Sequence, residues 1–181
     1  YRRASFILDH LGKKIIPEIV QIYEQPILQR ALGSAAFDGE GVVTDTRDIV
    51  TGGVLERYLL GSYAARRLGL KTTGNAGGVH NLTIEPGAED LSSLIKNLHR
   101  GFLVTELIGF GVNSVTGDYS RGAAGFWVED GEIKFPVEEV TIAGNLKEMF
   151  SSIMAIGSDI DTKQNVRSGS ILIDGLTVAG Q

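Results

Sequence analysis

The stretch GDYSRGAAGFWVEDGEIKFPV, residues 117–137, decides how this chain folds. Asp130-Gly131 is a two-residue loop that reaches φ > 0 at low cost, as a type I′ hairpin turn requires. Closing that turn opposes Glu129 to Glu132, Val128 to Ile133, Trp127 to Lys134 and Phe126 to Phe135. Successive side chains alternate faces, so Phe126, Val128, Ile133 and Phe135 form one apolar face. Trp127 and Lys134 fall on the other, where the ammonium can rest on the indole. Pro136 has no N–H to give a ladder, which predicts an edge strand or a strand end there. The glycine-rich half, residues 117–125, carries Asp118, Tyr119, Ser120 and Arg121, and reads as a segment leading into the hairpin.

Working outward, three further loops resemble that turn. Asp38-Gly39 and Asp174-Gly175 are Asp-Gly pairs, and Gly52-Gly53 separates two β-prone runs at 47–50 and 54–60. Residues 170–178 read as two short strands about Asp174-Gly175. Other β-rich runs lie at 18–23, 42–43, 83–85 and 102–107. Helices are fewer. Leu91, Leu94, Ile95 and Leu98 recur at i, i+3, i+4 and i+7, with acids before them and His99, Arg100 and a stopping Gly101 after. Asn145 caps a second helix over about 146–153, and a third follows Ser62 and ends at Gly69. Residues 6–14 predict a fourth. Strands and helices do not alternate regularly, which argues against a doubly wound parallel sheet. The expected fold is α+β, sheet-dominated and largely antiparallel, with three or four helices.

The chain has 181 residues, 43% of them hydrophobic and 22% charged, enough for one sizeable core. A net charge of −5 argues against a generic nucleic-acid or anionic-membrane surface. There is no cysteine, hence no disulfide, thiol nucleophile or thiolate ligand. No apolar run approaches the roughly 20 residues of a membrane helix. These features point to a cytoplasmic protein. The chain opens at Tyr1 in mid-pattern, which suggests a piece of a longer protein.

Catalytic motifs are scarce. His10, His80 and His99 show no metal-ligand spacing. No nucleophile elbow surrounds Ser120, and GLKTTGNAGGV lacks the ending of a phosphate loop. His80, in TTGNAGGVHN, is the one histidine in a specialised-looking loop.

FDGEGVVTDTRDIVTGGVL, LLGSYAARRLGLKTTGNAGGVHN, TGDYSRGAAGFWVEDGEI and TIAGNLKEMF resemble the C-terminal part of the TldD/PmbA proteins, most closely the PmbA (TldE) branch. The resemblance covers nearly the whole chain. It implies that residues 1–181 are the C-terminal domain of a longer protein whose N-terminal domain is missing here. It also implies a cytosolic heteromeric zinc metallopeptidase that degrades unfolded or flexible peptides, acting in microcin maturation and antitoxin degradation. In that assembly the TldD subunit holds zinc through an HExxxH helix and a cysteine near its C-terminal end. The corresponding region here reads NVRSGSILIDGLTVAGQ, without cysteine. The expectation is therefore a non-catalytic subunit with no metal or other cofactor of its own, zinc lying in the partner. Its partners would be a TldD-type subunit and an unfolded peptide, with self-association when isolated. Asp118, Tyr119, Arg121 and His80 are the candidates for peptide or partner binding, and no residue is assigned catalysis or metal binding. The alternatives are a self-sufficient metal hydrolase using His80, His10 and carboxylates, or a peptide-binding adaptor without a peptidase partner.

Overall fold

The structure, a computed structural model, describes residues 5–180. One sheet has five strands, four from the first half of the chain and one from near its end. Strands β1 (Ile22–Glu24), β2 (Arg47–Thr51), β3 (Val54–Leu55), β4 (Leu82–Ile84) and β9 (Val166–Arg167) lie in the order β3-β2-β1-β4-β9. All neighbours are antiparallel except β4 and β9. Gly52 and Gly53, at φ 54° and 79°, close the β2–β3 hairpin as their sequence predicts. The run at 18–23 is shorter as a strand than expected. Pro17 starts a turn in which the Val20 amide donates to its carbonyl at 3.0 Å, so pairing begins only at Ile22. The run at 42–43 makes only an isolated bridge, Phe37 to Val43, around Asp38-Gly39.

The second half builds a four-stranded antiparallel sheet, β11-β7-β6-β5, from β5 (Arg100–Ile108), β6 (Asp118–Glu129), β7 (Glu132–Asn145) and β11 (Thr177–Ala179). The Asp130-Gly131 turn forms, at φ 49° and 74°. Glu129 opposes Glu132 and Val128 opposes Ile133, but a bulge then shifts the register, so Trp127 faces Phe135 and Phe126 faces Pro136. The extra residue, Lys134, leaves the indole and pairs with Glu132 at 2.6 Å. Arg100 takes its place, 5.3 Å from the centre of the Trp127 ring. β7 does not stop at Pro136. β11 covers it only from Thr141 to Ala143, so the proline sits where the outer side of β7 is open.

At Asp174-Gly175 the chain only bends, with Gly175 at φ 79°, and the expected hairpin is absent because the flanking strands pair elsewhere. β10 (Ile171–Ile173) joins β8 (Ile153–Ile156) in a two-stranded sheet, while β11 joins β7.

Three helices are present among the described residues. α1 (Ser62–Leu68) ends on Gly69 in the left-handed conformation. Its Ser62 amide is capped at a distance by the Glu40 carboxylate, 2.9 Å away. α2 (Leu91–Lys96) is capped by Asp90, which accepts from the Ser93 amide at 2.8 Å. The helix stops before Leu98, and Gly101 lies within β5 rather than terminating it. α3 (Leu146–Ser151) starts on Asn145, as expected, and ends where Ile153 enters β8. Residues 6–14 are successive turns rather than a helix. Asp9 at φ 67° and Gly12 at φ 72° are incompatible with one. No described helix is long and apolar enough to cross a membrane.

The main apolar cluster lies on the first sheet, where Val20, Val50 and Leu55 meet Ile153 and Ile156 of β8. A smaller one, Ala123, Val140 and Ile142, lies on the second.

Candidate functional site

The segment 117–125 is strand, not loop. From Asp118 onward it is β6, paired to β7 on one side and to β5 from Gly122 on the other. The sequence read it as a segment leading into the hairpin, and the pairing on both sides makes it part of the hairpin strand itself. A Cβ on Gly125 would stand 1.9 Å from the Leu103 carbonyl oxygen, so the close approach its glycine permits is made by β5 itself. β5 bulges beside it, between Val104 and Glu106. The free edge belongs to β5, which pairs with β6 alone among the described residues. Beyond β5 follow Phe110, fully exposed, and the exposed Val112 and Val115.

Alternation along β6 puts Tyr119, Arg121 and Ala123 on one face. Tyr119 packs against the cluster of Ala123, Val140 and Ile142. It also lines a cavity of about 450 Å³ between this sheet and α2, α3 and β10, together with Phe102, Val104, Leu94 and Met149. Arg121 donates from Nη2 to the Leu107 carbonyl at 3.2 Å, while its buried Nε has no partner. Asp118 serves local structure. Its carboxylate accepts from the Thr116 hydroxyl at 2.5 Å and from Asn145 Nδ2 at 3.2 Å, tying the preceding turn to the cap of α3. Asp118 and Tyr119 also line an open groove of about 380 Å³ with Phe110 and Val112.

His80 belongs to a different region. Its backbone amide donates to Glu24 Oε1 at 2.7 Å, and its ring Nε2 lies 3.2 Å from the Gly74 carbonyl. No hydrogen bond or ion pair joins His80 to Asp118, Tyr119 or Arg121. The loop 72–81 around it is held by residues the sequence did not single out. Glu24, almost wholly buried, also accepts from Asn75 Nδ2 at 2.7 Å. Asn81, fully buried at φ 49°, donates to the Gln25 carbonyl and the Ser34 hydroxyl and accepts from the Gly33 amide, each at 2.9 Å. Asp38 accepts from the amides of Glu40, Val42 and Ala76. Burial pushes the Asp38 carboxyl up. The three amide donors, led by Ala76, outweigh that and hold it below the ordinary carboxylate value. The one available signal was the density of Asn, Asp and Gly in these loops, residues that tolerate positive φ and bond to backbone.

The donor groups at these positions are poorly matched to zinc. The chain has no thiolate, and its histidines are dispersed. The His10 Nδ1 is 2.9 Å from the Leu8 carbonyl, His80 is tied to Gly74, and His99 faces Asp130 at 2.7 Å. Among the described residues no group of three His, Asp or Glu side chains is placed to hold a metal ion. The residues present do not fit a zinc site.

A largely antiparallel α+β fold with three sheets, and no gathered metal ligands among the described residues, thus describes the architecture. Residues 1–180 match the family model of the PmbA/TldA metallopeptidase C-terminal domain, and the chain belongs to that family. It is 52% identical over 181 residues to the metalloprotease PmbA of Escherichia coli O157:H7, covering 100% of this chain and 40% of that protein. It is 49% identical to the PmbA homologue of Haemophilus influenzae, across 99% of this chain and 40% of the relative. The chain thus spans about 40% of the length of these curated relatives. TldE from Thermococcus kodakarensis has a similar structure, with a TM-score of 0.85 and 26% identity over 99% of this chain and 44% of that one.

Proposed function

We propose that this chain acts as the non-catalytic subunit of a heteromeric zinc metallopeptidase that degrades unfolded or flexible peptides in the cytoplasm. The reading rests on one observation: a chain of a metallopeptidase family that has no thiolate and gathers no three metal-binding side chains among its described residues. Zinc would come from a TldD-type partner. This chain would contribute interface and part of the substrate path. Peptide recognition would use the free edge of β5, because main-chain pairing at an edge needs no particular substrate sequence. Tyr119 and Arg121 stand behind that edge, the tyrosine in the cavity and the arginine on the Leu107 carbonyl.

Co-purification with a TldD-type subunit, followed by a peptide cleavage assay omitting each subunit in turn, tests the assignment. Cleavage should need both chains, and zinc should travel with the partner. Stoichiometric zinc on this protein alone, or cleavage without the partner, overturns the reading. Tyr119→Ala and Arg121→Ala should each reduce cleavage by the assembled complex about tenfold, a loss of the size seen at interface anchors. Full assembly and full activity in both variants would remove these residues from the surface.

A further inference from the structure

A second cavity, of about 490 Å³, lies on the other side of α3, between that helix and the turns at residues 6–17. Its volume is within the usual range for small-ligand pockets, about 300–1,000 Å³. Its apolar lining includes Phe6, Ile16 and Phe150. The rings of Phe6 and Phe150 are 5.9 Å apart and tilted by 46°. The other lining groups are unusual for a chain of net charge −5: His10, Lys14 and Lys147, with no carboxylate among the lining residues.

Neither lysine has an acidic partner, since the ion pairs among the described residues are His99–Asp130 and Lys134–Glu132. A carbonyl only accepts, so the contact at 2.9 Å between His10 Nδ1 and the Leu8 carbonyl places a proton on Nδ1. Nε2 is left as the nitrogen free to meet a ligand. An apolar cavity with two unpaired ammonium groups and an imidazole is complementary to one kind of molecule, an anion carried on an apolar body. Lysine binds as a point charge, without the planar fork that favours bidentate recognition.

We propose that this cavity binds the C-terminal residue of a peptide, with its carboxylate between Lys14, Lys147 and His10 and an apolar side chain against Phe6 and Phe150. The choice of a peptide over another amphipathic acid rests on the peptide-handling role proposed above. The carboxylate chemistry rests on the cavity alone. A subunit so equipped distinguishes the free end of a chain from its interior, which an edge strand cannot do.

The test is direct binding to the full natural chain. The probe is a hexapeptide ending in phenylalanine, dye-labelled at its N-terminus, with either a free carboxylate or an amide at its C-terminus. Fluorescence anisotropy should give the free acid at least tenfold tighter binding than the amide. In the double variant K14Q/K147Q that gap should close, with an unchanged thermal midpoint showing that the fold is intact. Equal binding of acid and amide overturns the proposal, as does a gap that persists in the double variant. Competition by dodecanoate, stronger than by N-acetylphenylalanine, also overturns it, because the occupant is then a lipid. Failure of cleavage with a TldD-type partner counts against the proposed function and leaves a carboxylate-dependent binding result standing.

Discussion

Around Val20 and Leu55 the five-stranded sheet is closed over by β8, and its loops are pinned by buried polar groups that accept or donate several bonds each. Around Ala123 the four-stranded sheet buries a small cluster, leaves a cavity of about 450 Å³ beside it and exposes Ile133, Phe135 and Phe110. The first region has gaps of its own: a cavity of about 600 Å³ borders Ile49 and Leu55, and the buried Thr83 hydroxyl has no partner among the described residues. The second leaves apolar surface and a strand edge for something else to complete. In the first, glycine and asparagine at positive φ serve loop geometry. In the second, Gly131 serves a turn in the same way, and Gly125 serves close strand packing. The same composition therefore produces one half with a large core and one with a small core.

Four substitutions put this contrast to the test. The largest effect is expected from Leu55→Ala, which empties a site in the closed core and should cost about 4 kcal/mol in urea unfolding. Asn81→Ala should cost about 3 kcal/mol, since it strips the fully buried Asn81 of its side-chain bonds and puts alanine at φ 49°. Ile142→Ala, equally buried but in the smaller second cluster, should cost only about 2 kcal/mol, because fewer buried apolar neighbours surround it. A cost for Ile142→Ala equal to that of Leu55→Ala would erase the distinction between the halves.

The smallest effect at neutral pH concerns Asp38. Its folded pKa lies below the ordinary 3.8, so its ionised form stabilises the fold above that value. That contribution should shrink as the pH falls from 3.8 toward the lower folded value. Asp38→Asn should flatten this part of the acid-unfolding curve, and an unchanged slope would show that the amide donors do not act through the charge.

Much of the fold was legible because its signals are local. The Asp130-Gly131 and Gly52-Gly53 turns, the Asn145 cap and the Gly69 stop each depend on a few adjacent residues. Non-local pairing was not legible. Nothing within 170–178 says that β10 and β11 join different sheets, because their partners lie in β8 and β7. The Lys134 bulge shifts half the hairpin register by one residue, and the period of two cannot reveal an insertion of one. Residues 6–14 carry a helical spacing of apolar side chains that Asp9 and Gly12 override through backbone conformation. For the candidate site, residue types drew attention to Tyr119 and Arg121, and the structure puts them on one strand. His80 was noticed for its loop, but Glu24 and Asn165, which bond to that loop's backbone at His80, Asn81 and Val79, lie far from it along the chain.

The partition of β10 and β11 has a mechanical consequence. Only Asp174, Gly175 and Leu176 separate them, so the Cα atoms of Ile173 and Thr177 can be at most about 14 Å apart. The long hairpin is thereby tethered to the body of the protein on a short leash. It cannot swing away from β10 without first unzipping β11 from β7.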